Sequence, residues 1–122
     1  MLIAAAVSND KLCIPVSDLN FGSIKILAAS KQQILKTLIV DDESLARRGL
    51  AHRLKKIVDI EVIGEARNGR EALDLIKKKE PDLVFLDIQM PGVSGFEVVQ
   101  QLDVETMPII LFLTAYDEYA IK

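Results

Sequence analysis

Leu83-Val84-Phe85-Leu86-Asp87-Ile88-Gln89-Met90-Pro91-Gly92 is the stretch that decides the fold. Four consecutive apolar residues place nonpolar side chains on both faces of a strand, as expected where a parallel sheet is covered on both sides. The run ends on a single acid, Asp87, and on a turn shaped by Pro91 and Gly92. The same pattern occurs upstream, where Thr37-Leu38-Ile39-Val40 runs into Asp41-Asp42-Glu43. In an open α/β sheet, the C-terminal ends of parallel strands line the crevice where ligands bind. Two such strands side by side would gather Asp41, Asp42 and Asp87 at one point. Charge concentrated in this way is costly unless a hard cation such as Mg²⁺ occupies the site.

From Leu35 onward, strand-like and helix-like runs alternate, the sign of a parallel sheet with crossover helices. Strands are predicted over Leu35–Val40, Glu61–Ala66, Leu83–Leu86 and Pro108–Leu113. A first helix is predicted from Ser44 to about Ile57, since Ala46, Leu50, Leu54 and Ile57 repeat at the helical period. Arg67-Asn68-Gly69 reads as a turn, and a second helix from about Arg70 to Lys79 is stopped by Pro81. Further helices are expected over Phe96–Leu102, after the Met90–Gly95 loop, and from Tyr116 to Lys122. The fold class is therefore α/β, a doubly wound parallel sheet. Residues 1–34 do not share this order. They hold two strand candidates, Leu12–Val16 and Ser23–Leu27, and no recognisable chemistry.

With 122 residues, half of them hydrophobic, the chain fits one domain with a sizeable core. A net charge of −3 gives no global reason to expect nucleic-acid binding. Arg47, Arg48, Arg53, Lys55 and Lys56 cluster along one helix and read as a solvated face. Cys13 is the only cysteine, which excludes an internal disulfide and a cysteine-based metal site; His52 is the only histidine and has no partner for a metal site or a triad. No apolar run reaches the roughly 18 residues of a membrane span. Met1–Val7 is apolar but lacks the basic flank and the length of a signal peptide, so the expected compartment is the cytoplasm.

Phosphoryl transfer to a carboxylate needs a nucleophilic aspartate, a divalent cation, and donors for the phosphoryl oxygens. Asp87 is the candidate nucleophile. Asp41 and Asp42 are the candidate Mg²⁺ ligands, with a backbone carbonyl of the Asp87 loop completing the shell. Thr114, at the end of the last strand, offers a hydroxyl donor. A plainer reading stands beside this one: an Asp after a strand also caps the next helix, and Asp41-Asp42-Glu43 before Ser44 makes a good acidic N-terminus. The two clusters and Thr114 occurring together, in this order and at these strand ends, favour the site.

Leu38-Ile39-Val40-Asp41-Asp42-Glu43, Leu86-Asp87-Ile88-Gln89-Met90-Pro91-Gly92 and Leu113-Thr114-Ala115 resemble the three motifs of the receiver domain of two-component response regulators. The resemblance covers about Leu35 to Lys122. It implies a flavodoxin-like fold with strand order 2-1-3-4, Asp87 as phosphoacceptor, and Asp41, Asp42 and Asp87 at Mg²⁺. It also implies Gln89 as the backbone-carbonyl ligand, and Thr114, with Ala115 and Tyr116, as the switch segment. The implied partner is a histidine kinase, and the implied catalysis is limited to self-phosphorylation and self-dephosphorylation. Glu43-Ser44-Leu45-Ala46-Arg47-Arg48-Gly49-Leu50 and Thr114-Ala115-Tyr116-Asp117-Glu118-Tyr119-Ala120 further resemble regulators with a LytTR-type DNA-binding output. DNA would then be reached only through an output domain that these residues do not include. Family receivers go on to a fifth strand ending in a phosphate-contacting lysine, then a fifth helix. A helix and a strand take roughly 20 residues. Eight follow Thr114, so the expectation is a receiver truncated before its fifth strand, and Lys122 is not that lysine.

Two other classes compete with the phosphoacceptor reading. A metal-dependent phosphatase of the haloacid-dehalogenase type would carry a second acid two residues after its nucleophile, and Gln89 stands there. A non-phosphorylated interaction module with a relic site is the other. Domain boundaries are expected at 1–34, an added extension of unknown role, and 35–122, the receiver. The extension carries Lys11, Lys25 and Lys31 against Asp10 and Asp18, a net +1, and offers neither ligand nor nucleophile. Pro108–Leu113 would form an apolar, uncharged sheet edge, open to pairing in a homodimer or strand exchange, or with residues 1–34.

Overall fold

A computed structural model of the chain describes residues 2–7, 13–15 and 34–114. In chain order the elements are β1 (Leu2–Val7), β2 (Cys13–Pro15), β3 (Leu35–Val40), α1 (Ser44–Leu54), β4 (Ile60–Ala66), α2 (Gly69–Lys79), β5 (Leu83–Asp87), α3 (Gly95–Gln100) and β6 (Ile109–Thr114). They build one six-stranded sheet in the order β2-β1-β6-β5-β3-β4. Within it β4-β3-β5-β6 are parallel and follow the expected 2-1-3-4 order. β1 and β2 are antiparallel additions outside β6.

The central strands are buried on both faces because their side chains alternate between two apolar cores. Leu38 and Val40 of β3, Val84 and Leu86 of β5, and Ile110 and Phe112 of β6 meet Ala72 and Ile76 of α2 and Val98 of α3. Leu35 and Ile39, Leu83 and Phe85, and Leu111 and Leu113 meet Leu50 and Leu54 of α1 on the other side. Each fully buried side chain of this size contributes roughly 1.5–3 kcal/mol. Burial on both faces also fixes register, since a one-residue slip would exchange the cores.

Helix ends follow their caps. Asn68, read from sequence as part of a turn, is instead the N-cap of α2: its side chain accepts the Glu71 N–H at 2.9 Å, and the helix starts at Gly69. Glu71 reaches back to the Arg67 N–H at 2.9 Å, so both ends of this first turn are satisfied. α2 stops where Glu80 turns left-handed (φ 46°) ahead of Pro81. Ser94 caps α3, which covers Gly95–Gln100 rather than Phe96–Leu102. α1 ends at Leu54; Ile57 is buried from the following turn, not from the helix. β4 gains Ile60, β5 gains Asp87, and β6 runs from Ile109 to Thr114 rather than from Pro108 to Leu113.

At the N-terminus, one strand candidate appears in shortened form as Cys13–Pro15. The apolar run expected only to fail as a signal peptide contains a strand, Leu2–Val7. β1 occupies the outer edge of β6, so of the pairings open to that edge the structure contains the one with the chain's own first residues. Ser23–Leu27, Ala115 and the helix expected over Tyr116–Lys122 lie outside the described residues. Among the described residues, no helix is long and apolar enough to cross a membrane.

Candidate functional site

β3 and β5 are parallel neighbours, with Val40 in register with Leu86. The next residues along each strand, Asp41 and Asp87, therefore emerge side by side at the C-terminal edge of the sheet. One carboxylate oxygen from each of Asp41, Asp42 and Asp87 lies within 4.8 Å of the others. These three residues are the ones the sequence placed at a shared crevice.

Their environments differ in ways the sequence does not distinguish. Asp41 is buried, with 4% of its surface exposed, whereas Asp42 is exposed and Asp87 half-buried. The Asp41 backbone N–H continues the sheet by donating to the Ala66 carbonyl (3.1 Å), and its side chain accepts the Glu43 N–H (2.9 Å). Burial pushes the Asp41 pKa up against that hydrogen bond, and the neighbouring Asp42 and Glu43 charges add to the rise. Asp87 accepts the Gln89 N–H at 3.1 Å. Burial first, then the charge of Asp41, push Asp87 up to about 7, with Asp42 adding to the effect. Both carboxylates are thus disfavoured as anions, by burial first and by the neighbouring acids second.

Two backbone hydrogen bonds hold the loop after Asp87. The Ile88 N–H donates to the Leu113 carbonyl (3.2 Å), and the Gly95 N–H donates to the Ile88 carbonyl (3.0 Å). Gly95 permits this approach, because a Cβ there would overlap the Asp87 carbonyl oxygen and crowd Ile88 Cα. Gly92 takes φ +82°, which side-chain-bearing residues rarely adopt. The Gln89 backbone therefore sits in a constrained loop beside Asp87. Thr114 ends β6 one residue past Leu113, the register partner of Asp87. The described structure extends to the Thr114 backbone, and Ala115 and Tyr116 lie outside it.

Arg47 is the site residue that sequence reasoning missed. The sequence places it on a solvated basic face, yet its side chain is only 14% exposed. Its guanidinium donates to the Asp41 carbonyl (2.8 Å) and pairs with Glu65 (3.3 Å). This clamp ties the start of α1 to the ends of β3 and β4. The signal available was its spacing: Arg47 lies one turn after Glu43, whose carbonyl accepts the Arg47 N–H, so it faces back over the acidic turn.

Residues 37–122 match the model of the response regulator receiver domain family. Among similar proteins, the transcriptional regulatory protein BtsR of Escherichia coli (strain K12) is 54% identical over 89 residues, 73% of this chain and 37% of that protein. An uncharacterized response regulatory protein of Shewanella oneidensis is 53% identical over 89 residues, 73% of this chain and 38% of the other. The chain thus spans little more than a third of the length of these curated relatives. Among solved structures, the receiver domain of the putative response regulator NarL from Mycobacterium tuberculosis superposes with a TM-score of 0.62 at 34% identity, covering 70% of this chain and 69% of that one. The structure of the P1 domain of CheA3 in complex with CheY6 from R. sphaeroides gives 0.59 at 34% identity, with 69% and 66% covered. Strand order, the carboxylates gathered at the C-terminal edge and these matches agree: the chain belongs to the response regulator receiver domain family.

Proposed function

We propose that Asp87 accepts a phosphoryl group from a histidine kinase, with Mg²⁺ held by Asp41, Asp42, Asp87 and the Gln89 backbone carbonyl. The observation that carries this reading is the meeting of three carboxylates, with one oxygen from each within 4.8 Å of the others. Hard oxygen donors in this number suit Mg²⁺, which takes one or two carboxylates directly and reaches others through its waters. The pKa values of Asp41 and Asp87 are raised by burial first and by the neighbouring acids second, and a divalent cation would offset both. When bound, the ion offsets negative charge on the phosphoryl oxygens. The half-buried Asp87 is the nucleophile: its carboxylate oxygen forms a bond to phosphorus as the bond to the donor's imidazole nitrogen breaks, and the imidazole leaves with the electron pair and takes up a proton.

The readout is a rearrangement at the end of β6, where the Thr114 hydroxyl is drawn to the phosphoryl group and carries Ala115 and Tyr116 with it. The name of the BtsR relatives, transcriptional regulatory protein, supports an output in transcription control, through a LytTR-type DNA-binding domain of the longer protein. Such a regulator acts in the cytoplasm. The chain's own catalysis is limited to forming and hydrolysing its acyl phosphate.

The test is incubation with a small-molecule phosphodonor and Mg²⁺, followed by intact mass and hydroxylamine treatment. A hydroxylamine-sensitive adduct that maps to Asp87 and is absent from Asp87→Asn is expected. An Asp87→Asn variant labelled as well as wild type would refute the assignment, and a folded wild type that is never labelled would favour the relic-site module.

A further inference from the structure

The Arg47 side chain is only 14% exposed, although its neighbours Leu45, Arg48 and Gly49 on α1 face solvent. Taking a guanidinium out of water is costly unless its N–H groups find acceptors. Arg47 finds two, on different strands. One part of its planar fork pairs with Glu65 of β4 (Nε to Oε1, 3.3 Å), and another donates to the Asp41 carbonyl (Nη1, 2.8 Å). The first contact alone would pin α1 to β4. The second reaches the residue that leads the acidic cluster.

β3 ends at Val40, so the Asp41 carbonyl lies past the strand and takes its donor from a side chain. The Asp41 N–H is held separately by the Ala66 carbonyl (3.1 Å). With both of these groups bonded, the backbone of Asp41 has little freedom to turn. The peptide between Asp41 and Asp42 is planar, so fixing its oxygen also fixes the direction in which the chain reaches the Cα of Asp42. The meeting of both carboxylates with Asp87 thus depends on the group that holds this oxygen. The Asp41 side chain in turn accepts the Glu43 N–H (2.9 Å), and the Glu43 carbonyl accepts the Arg47 N–H (3.1 Å), which closes the turn onto the same arginine.

We propose that Arg47 is a positioning residue for the cation site: through the Asp41 carbonyl it holds the Asp41 and Asp42 carboxylates in the arrangement that takes Mg²⁺. This role rests on the metal reading of the three carboxylates, and its sign distinguishes it from plain electrostatics. A guanidinium near the cluster repels a cation, so by Coulomb's law alone its removal should tighten Mg²⁺ binding. A positioning role predicts the opposite, since outer partners that orient metal ligands typically account for roughly 10–100-fold in affinity.

Arg47→Met keeps the apolar stem and removes the guanidinium. Calorimetric titration of the full chain with Mg²⁺ should show affinity about 10-fold weaker than in wild type. Glu65→Gln keeps an oxygen for the Arg47 Nε–H and leaves the bond to the Asp41 carbonyl in place, so its affinity should stay within about 2-fold of wild type. In the metal-free chain, amide exchange at Glu43 reports the seat of the Asp41 carboxylate. It should quicken by about 10-fold in Arg47→Met, while Leu38 and Val84 within the parallel sheet stay protected. Binding as tight as wild type or tighter in Arg47→Met, unchanged exchange at Glu43, or an equal loss of affinity in Glu65→Gln would each overturn the positioning role and leave the metal reading intact. A wild type that takes up no Mg²⁺ would defeat both. If Arg47→Met loses protection at Val84 and has unfolded, the wild type decides: the Arg47 Nε–H resonance should move with Mg²⁺ along the same saturation curve as the Asp42 amide, and a resonance unmoved at saturation refutes the role.

Discussion

Replacing Asp87 by asparagine should stabilise the metal-free chain, and do so increasingly as the pH rises. Asp87 is half-buried beside Asp41 and Asp42, and burial and those charges move its pKa from 3.8 up to about 7. The unfolded chain releases this proton near 3.8. Between the two values the folded protein holds more protons than the unfolded one, so raising the pH withdraws stability. The contribution of the protonated group is complete below about pH 4 and lost once the pH passes about 7. At ~1.36 kcal/mol per tenfold change in proton affinity, that interval sets a ceiling of about 4 kcal/mol. The site opens to water on the side of Asp42, and screening there reduces the expected effect to about 1–2 kcal/mol.

Asparagine keeps an oxygen for the Gln89 N–H and removes the charge, so it isolates the electrostatic part. Urea unfolding in the presence of a chelator at pH 4, 6 and 8 is the assay. Wild type and Asp87→Asn should unfold together at pH 4. At pH 8 the variant should lead by about 1–2 kcal/mol, a midpoint difference of roughly 0.5–1 M for a domain of this size. A gap that is constant across the pH range, or one that favours wild type as the pH rises, would refute the claim that Asp87 is held against its charge.

Millimolar Mg²⁺ at pH 8 should raise the melting temperature of wild type by mass action and leave Asp42→Ala unmoved; equal shifts in both would remove Asp42 from the site. Gly95→Ala should cost about 1–3 kcal/mol, because the added methyl group meets the Asp87 carbonyl, and should slow acyl-phosphate formation; a wild-type unfolding midpoint would show that the loop yields. Asn68→Ala should cost about 1 kcal/mol through loss of the α2 cap without changing the Mg²⁺ response, and a changed response would mean that α2 positions the site.

β3 and β5 are legible in the sequence because their burial on both faces leaves an unbroken apolar run, and the acids that end them stand out by contrast. The three-carboxylate cluster follows from that reading, whereas the strand order comes from the resemblance to receiver domains. The misreadings have local causes. Asn68 looks like a turn residue until its side chain is seen to accept the Glu71 N–H, since the same preference for extended backbone serves turns and N-caps. Ile57 continues the helical period of α1 but is buried from the turn beyond it, so periodicity ran past the helix end. β1 was invisible because Ala4-Ala5-Ala6 has weak strand preference and its partner lies at the other end of the chain. Arg47 escaped because a basic residue on an exposed-looking helix face declares its role only when β4 brings Glu65 alongside.

The cores explain how the site tolerates its own repulsion. Leu38, Val40 and Leu86 on one face, and Ile39 and Phe85 on the other, fix the register of β3 and β5, and each contributes roughly 1.5–3 kcal/mol. That register puts Asp41 beside Asp87; separating the two acids would require slipping a strand and turning both cores inside out. A penalty of about 1–2 kcal/mol at the carboxylates is small against that cost, so the acids stay together. Such a site is biased to respond. A cation relieves the repulsion and a phosphoryl group on Asp87 adds negative charge to it, so each changes the balance of forces on the loop after Asp87. That change has a direct route outward: the Ile88 N–H holds the Leu113 carbonyl, so a displacement of the loop after Asp87 pulls on β6 one residue before Thr114.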